Sequence, residues 1–249
     1  MCFVSSLTRI ALVCAVIMSI VFCTAKAQRI DMPDGEAIVS VNTFTGSEVY
    51  RLISTKTTIY SSKLLKGVWS KGKQLYQTIP ARKIVDAVFK SGDVGDSRNY
   101  AVLLDNGETI VFSYNGKIDD FFELKFYGTP VQYLGNSSFR KILFADVISV
   151  QFGSSVYRNL LNGSAWKQDT AGLGKLSIAD ITLDKFGVVL AATNKGLWKF
   201  DSGISSWMQI GAEKDTLSVS SVFCTRNGKM YAGMATKGIW MSSDNGVTW

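Results

Sequence analysis

The chain contains no histidine. Ser-His-Asp and Cys-His nucleophilic chemistry is therefore excluded, as is a histidine-ligated zinc site. Cysteine is scarce: Cys2, Cys14 and Cys23 lie in the first 23 residues and only Cys224 lies beyond. Once that leader is removed, no intrachain disulfide can staple the fold. Proline is limited to Pro33, Pro80 and Pro130, which leaves long stretches able to donate every backbone N–H to a ladder. No long helical period follows residue 27. No five like charges stand in a row, so no charged tail for nucleic acid is present. No glycine pattern of the P-loop or dinucleotide-binding kind occurs. The formal charge of +7 is diffuse, and Arg9 and Lys26 of the leader account for two of it. Ordinary solubility explains it, with an acidic glycan or an anionic envelope as the alternative.

The leader itself is legible. Arg9 precedes an apolar run, Ile10 to Cys23, and Ala25-Lys26-Ala27 has the A-x-A form of a signal peptidase site. Residues 1–27 are expected to be a cleaved signal peptide, with cleavage before Gln28. The run is short for a span of about 20 residues, so no stable membrane insertion is expected after cleavage. The mature chain, 28–249, is expected to be extracytoplasmic: periplasmic, on the cell surface or secreted.

What is there is a repeat. An aliphatic–aromatic pair is followed, nine residues after its aromatic, by a second aromatic. Ile59-Tyr60 leads to Trp69, Val111-Phe112 to Phe121, Val156-Tyr157 to Trp166, Leu197-Trp198 to Trp207 and Ile239-Trp240 to Trp249. A glycine lies between the two aromatics each time: Gly67, Gly116, Gly163, Gly203 and Gly246. The first aromatics are 52, 45, 41 and 42 residues apart. The last two units also match in their flanks: Ser177–Leu183 with Ser218–Cys224, and Gly187–Ala191 with Gly228–Ala232. A period near 40–45 residues with four short strands per unit predicts an all-β fold, a β-propeller of about five four-stranded blades. The blades are placed at about 35–78, 79–127, 131–170, 175–211 and 216–249. The match of Cys224 with Leu183 predicts a buried apolar position rather than a reactive thiol.

Strand assignments follow. Ile84–Phe89 reads as an inner strand, with a short helix as the alternative. Tyr100–Tyr114 reads as a hairpin around Asp105-Asn106-Gly107, where Asn-Gly favours a tight primed turn. Tyr133–Asn136 precedes Phe144–Phe152, which alternates as one strand. Asn115-Gly116 and Asn162-Gly163 read as turns, and 91–97 as a loop.

The last unit ends in Ser242-x-Asp244-x-Gly246-x-Thr248-Trp249. This spelling resembles the Asp-box (BNR) motif at every defined position. The motif is shared by sialidases, xyloglucan-active glycosidases and the photosystem II assembly factor family. The resemblance implies that Ser242, Asp244, Gly246, Thr248 and Trp249 form a structural turn on a blade's periphery, not a catalytic group. The fourth unit departs from the motif by one residue after Gly203, and the third lacks the Asp. The chain stops before the fourth strand of its last blade. A fragment of a six- to eight-bladed propeller is expected, the alternative being closure by an N-terminal strand.

No catalytic, cofactor or metal residue is assigned. A sialidase would carry an Arg in an F/Y-R-I-P segment; the nearest stretch, Tyr50-Arg51-Leu52-Ile53, lacks the Pro, and Arg51 reads as an exposed strand residue. A glycosidase needs two carboxylates about the scissile bond; the candidates on predicted inner strands are Asp86, Asp146 and Asp180, the last two at comparable places. The expectation is an exported, non-catalytic propeller that binds a protein or carbohydrate ligand. The alternatives are a sialidase-like glycosidase fragment and a periplasmic sensor propeller of a two-component regulator. The last rests on Asn194–Asp201, NKGLWKFD, which looks like the repeats of such sensors.

Overall fold

A computed structural model describes residues 36–45, 48–91, 98–114, 121–128, 139–161, 165–169, 171–211, 217–234 and 236–249. The expected signal peptide, the 92–97 loop, Tyr133–Asn136 and the turns at Asn115-Gly116 and Asn162-Gly163 lie outside the described residues. Short apolar alternations separated by turns build β-strands throughout, and among the described residues there is no helix.

The strands form five antiparallel sheets. The first contains β1 (Ser40–Thr45), β2 (Val49–Ser54), β3 (Thr58–Leu65), a small β4 (Val68–Trp69) and β5 (Lys73–Gln77). The second contains β6 (Ile84–Phe89), β7 (Arg98–Leu104), β8 (Thr109–Tyr114) and β9 (Phe121–Phe126). The third contains β10 (Phe139–Phe144), β11 (Ile148–Phe152), β12 (Ser155–Asn159) and β13 (Lys167–Asp169). The fourth contains β14 (Ile178–Leu183), β15 (Val189–Thr193), β16 (Gly196–Asp201) and β17 (Ser206–Ile210). The fifth contains β18 (Val219–Cys224), β19 (Met230–Met234) and β20 (Gly238–Ser242). Each sheet is an up-and-down meander, and the leading strands β1, β6, β10, β14 and β18 lie against one another in that order. This radial stacking of meanders is a β-propeller architecture with about five blades.

Alternation explains the stacking. Successive residues of a strand point to opposite faces. On β15, Val189 and Ala191 face the third sheet, while Leu190 and Ala192 face the fifth. Four apolar cores therefore fill the four junctions between sheets, rather than one central core. Fully buried Ile181 and Leu190 each contribute about 1.5–3 kcal/mol by leaving water.

The repeat has a common register. In four sheets the leading strand carries an irregularity at the same point: between Ile84 and Asp86, Phe139 and Lys141, Ile178 and Asp180, and Val219 and Ser221. Counted from it, Tyr157, Trp198 and Trp240 are equivalent, opposite Val150, Ala191 and Ala232. All five first aromatics lie on the third strand of their sheet. Phe112, however, pairs with Tyr100, and the second sheet's equivalent position is Ile110, opposite Val102. An offset of two keeps Phe112 on the same face, which is why the sequence pattern survives it. The nine-residue spacing is itself a hairpin register: the residue two beyond the first aromatic pairs with the second, as in Tyr114 with Phe121 and Phe200 with Trp207.

Three local expectations are corrected. Trp69 does not lead the first sheet's outer strand; it pairs with Leu64 in an added hairpin, and the outer strand is β5. The Lys66-Gly67 turn, with both φ positive, reverses the chain before the outer strand can begin. Phe144–Phe152 is not one strand: Ala145–Val147 is a reversal closed by Ala145 N–H to the Val147 carbonyl. Phe144 and Ile148 pair across it, so the alternation runs on unbroken. The turn at Asp105-Asn106-Gly107 is not primed, since only Gly107 has positive φ. Gly107 N–H bonds the Leu104 carbonyl, a three-residue loop. Ile84–Phe89 is a strand.

Candidate functional site

The site residues follow from the shared irregularity. It sets the register of the next side chain of each leading strand, and in the second to fourth sheets that side chain reaches the sheet that follows. That side chain is Asp86, Lys141, Asp180 or Ser221 in the second to fifth sheets. In the first sheet Asn42 takes the corresponding part, its Nδ2 donating to the Ala87 carbonyl at 2.6 Å. Asp86 Oδ2 accepts the Ile142 N–H at 3.2 Å, and its Oδ1 accepts the Ala87 N–H at 2.8 Å. Lys141 Nζ donates to Asp180 Oδ1 at 2.8 Å. Asp180 Oδ1 also accepts the Ile181 N–H at 2.9 Å, and its Oδ2 accepts the Val222 N–H at 3.0 Å. A polar relay thus runs from sheet to sheet along the inner strands.

The two carboxylates differ in surroundings. Burial pushes Asp86 up to about 6, against the Ile142 N–H, Lys141 and the Ser40 hydroxyl, which all favour the charge. Asp180 is less enclosed and holds the Lys141 ammonium directly. Asp86 and Asp180 are therefore where the sequence reading puts them, on leading strands. Asp146 is not: it sits in the Ala145–Val147 reversal, fully exposed, 3.6 Å from Lys90. The place in the third sheet comparable to that of Asp180 belongs to Lys141, which the sequence reading missed because it assigned Phe144–Phe152 as the strand.

Arg51 is also corrected. It is buried, not exposed, with its guanidinium over the Trp69 ring at 4.4 Å, and burial lowers its pKa. Cys224 is half-buried at the edge of the fourth–fifth core rather than enclosed, and burial raises its pKa.

A second series joins the sheets at their outer strands. Trp166 Nε1 donates to the Tyr127 carbonyl at 2.7 Å, and Trp207 Nε1 to the Asp169 carbonyl at 3.1 Å. Each bond reaches back to the preceding sheet. Gly211 is the next position in the 127, 169 series, and the Trp249 ring lies against it, but Trp249 Nε1 donates to the Gly246 carbonyl at 3.2 Å. Between sheets three and four, Arg158 pairs with Asp169 and lies over the Phe200 ring at 3.7 Å. Side-chain identity could not reveal the accepting carbonyls; only the 42-residue interval carries a trace of them.

The Ser242–Trp249 turn is internally bonded. Ser242 Oγ donates to Asp244 Oδ1 at 2.7 Å and accepts the Gly246 N–H at 2.9 Å. Asp244 Oδ1 accepts the Thr248 N–H at 2.9 Å, and its Oδ2 accepts the Thr248 hydroxyl. Asn245 and Gly246 take φ of 63° and 90°, a conformation Gly holds without strain. The Thr248 hydroxyl and N–H, with Ser242, hold the Asp244 carboxyl down at about 2.

A cleft of about 30 Å³ lies between the fourth and fifth sheets, lined by Leu197, Ile210, Val219, Met234, Trp240 and Trp249; it holds little more than a water molecule. Among the described residues no group of three or more acidic or cysteine side chains could hold a metal, and no helix is long and apolar enough to cross a membrane.

No protein-family model matches the chain, and no curated protein matches it. Solved structures are similar in fold. The extracellular domain of the putative one component system BT4673 from B. thetaiotaomicron matches at a TM-score of 0.54 and 15% identity, over 87% of this chain and 28% of that one. The WD40 β-propeller domain of Doa1 matches at 0.50 and 11%, over 85% of this chain and 66% of that one. PorZ, an essential bacterial surface component of the type-IX secretion system of Porphyromonas gingivalis, matches at 0.51 and 11%, over 84% and 33%. The chain thus spans little more than a quarter of the BT4673 chain's length. At these identities the likeness concerns the fold alone.

Proposed function

We propose that this chain is an exported, non-catalytic β-propeller of the Asp-box kind that binds a protein or carbohydrate partner. The observation that carries the reading is the engagement of the inner-strand carboxylates. Both oxygens of Asp86 and both of Asp180 accept bonds that tie one sheet to the next or fix their own strand. A glycosidase pair must instead face a shared substrate, one member holding a proton for the leaving group. Ser242, Asp244, Gly246, Thr248 and Trp249 are read as structural, because Asp244 spends its carboxylate on Thr248 and Ser242. Export rests on the leader, 1–27, and agrees with fold neighbours described as an extracellular domain and a surface component.

The test is a direct pairing of turnover with binding. The chain is assayed on a panel of aryl glycosides, sialosides included, and on immobilised glycans and exported proteins. Saturable binding without turnover is expected. Hydrolysis that disappears in Asp86→Asn or Asp180→Asn, at unchanged melting temperature, overturns the reading.

A second reading, a ligand-sensing propeller, is favoured by the likeness to BT4673 together with Asn194–Asp201. It predicts that the partner is a small soluble ligand, detectable as a concentration-dependent rise in melting temperature.

A further inference from the structure

The connections that flank the third strands differ in chemistry. Connections between second and third strands are polar: Lys56-Thr57, Asp105–Glu108, Gly153-Ser154, Asn194-Lys195 and Thr236-Lys237. Connections beyond the third strand, at the opposite end, expose aliphatic side chains in each sheet where they are described: Leu65 and Val68, Leu160, Ile204 and Val247. The largest such feature is the hairpin that breaks the four-strand pattern of the first sheet. It reads Lys63-Leu-Leu-Lys-Gly-Val-Trp-Ser-Lys-Gly-Lys73, four lysines and no acid.

We propose that this hairpin, Lys63–Lys73, is a docking surface for an anionic lipid membrane. Leu65 and Val68 face each other directly across its end and are 50% and 58% exposed. Lys66 and Gly67 form the two-residue turn between them, with φ of 49° and 82°. Such a turn fixes the tip rigidly. Lys66 is held in a left-handed conformation that Asn or Gly would take more readily. Lys66 thus sits, exposed, at the end of the hairpin between the apolar pair, and Lys71 is exposed on the returning arm. Lys63 is engaged with Glu48 and anchors the base rather than the tip.

Shape selects the lipid. A stable protein interface covers about 800 Å² per partner, whereas a convex two-residue wedge offers far less. A bilayer surface accepts a shallow apolar insertion and places the flanking lysines among anionic headgroups.

The experiment probes the tip itself. In the mature chain, 28–249, with Cys224 changed to Ser, Leu65→Cys carries an environment-sensitive fluorophore. Vesicles are phosphatidylcholine alone or an equal mixture with phosphatidylglycerol, with and without nitroxide-labelled lipid. Expected is a blue shift with nitroxide quenching on the anionic vesicles only, reversed by high salt. Lys66→Glu with Lys71→Glu lowers the tip's partition at least about tenfold without altering the melting curve. An unchanged probe on anionic vesicles, an equal response to neutral ones, or insertion retained in the charge-reversed variant overturns the proposal. A tip that responds only to an acidic protein also overturns it.

Discussion

Asp86 and Asp180 stand at the same register point of the second and fourth sheets, and each accepts a backbone N–H from the sheet that follows. Yet one is enclosed and its charge disfavoured, while the other holds an ammonium. The difference lies in the residue between them. Lys141, at the same point of the third sheet, extends toward Asp180 and reaches Asp86 only through space. A repeat fixes backbone geometry at each copy, but the electrostatics of a copy depends on its neighbours.

The largest break in that comparison removes the junction standing between the two aspartates. Trp207 fills it and donates to the Asp169 carbonyl. Trp207→Ala is expected to cost about 3–5 kcal/mol, measured by urea unfolding. The fluorescence of the remaining tryptophans reports whether the fourth sheet separates from the third.

Next comes pH. Burial pushes the folded Asp86 up to about 6, above the ordinary 3.8, so the folded state holds the proton more tightly. Stability from this group is fully present below pH 3.8 and is lost as pH rises to about 6. The total is about 3 kcal/mol. Urea midpoints measured between pH 4 and 7 should carry this slope, and in Asp86→Asn the slope should vanish. A wild-type slope of opposite sign in that window would remove the buried-carboxylate assignment.

Lys141→Met sharpens the contrast further. Asp180 loses its cation at a cost of about 0.2–1 kcal/mol. Asp86 loses a favourable charge, so its titration moves upward and the pH window widens. A stability loss with no movement of the window would show that Lys141 serves only Asp180.

The smallest effect is expected at Asp244, on the exposed turn of the fifth sheet. Its depressed pKa means that stability is present above the ordinary 3.8 and is lost as pH falls toward about 2. Asp244→Asn should flatten that acid limb by lowering the midpoints slightly near neutral pH, with little change at the acid end.

Much of the fold was legible because hairpin register leaves a fixed spacing. Trp198 to Trp207 marks a turn whose pairing, Phe200 with Trp207, needs nine residues. The first sheet defeated the same rule because Lys66-Gly67 closes a separate hairpin, and spacing alone does not say which strand a second aromatic joins. Asp146 was misplaced for a related reason: alternation continues through a tight reversal when the flanking residues pair on one face. Lys141 then went unseen, and with it the asymmetry of the two aspartates.

The sequence by itself determined an all-β repeat, its period and the residue types at each turn, since these follow from local alternation and turn chemistry. Tertiary structure alone decided which leading strand lies beside which, and so that Asp86 is enclosed while Asp180 is paired. Those outcomes depend on distances between residues about 40 positions apart, which no local pattern encodes.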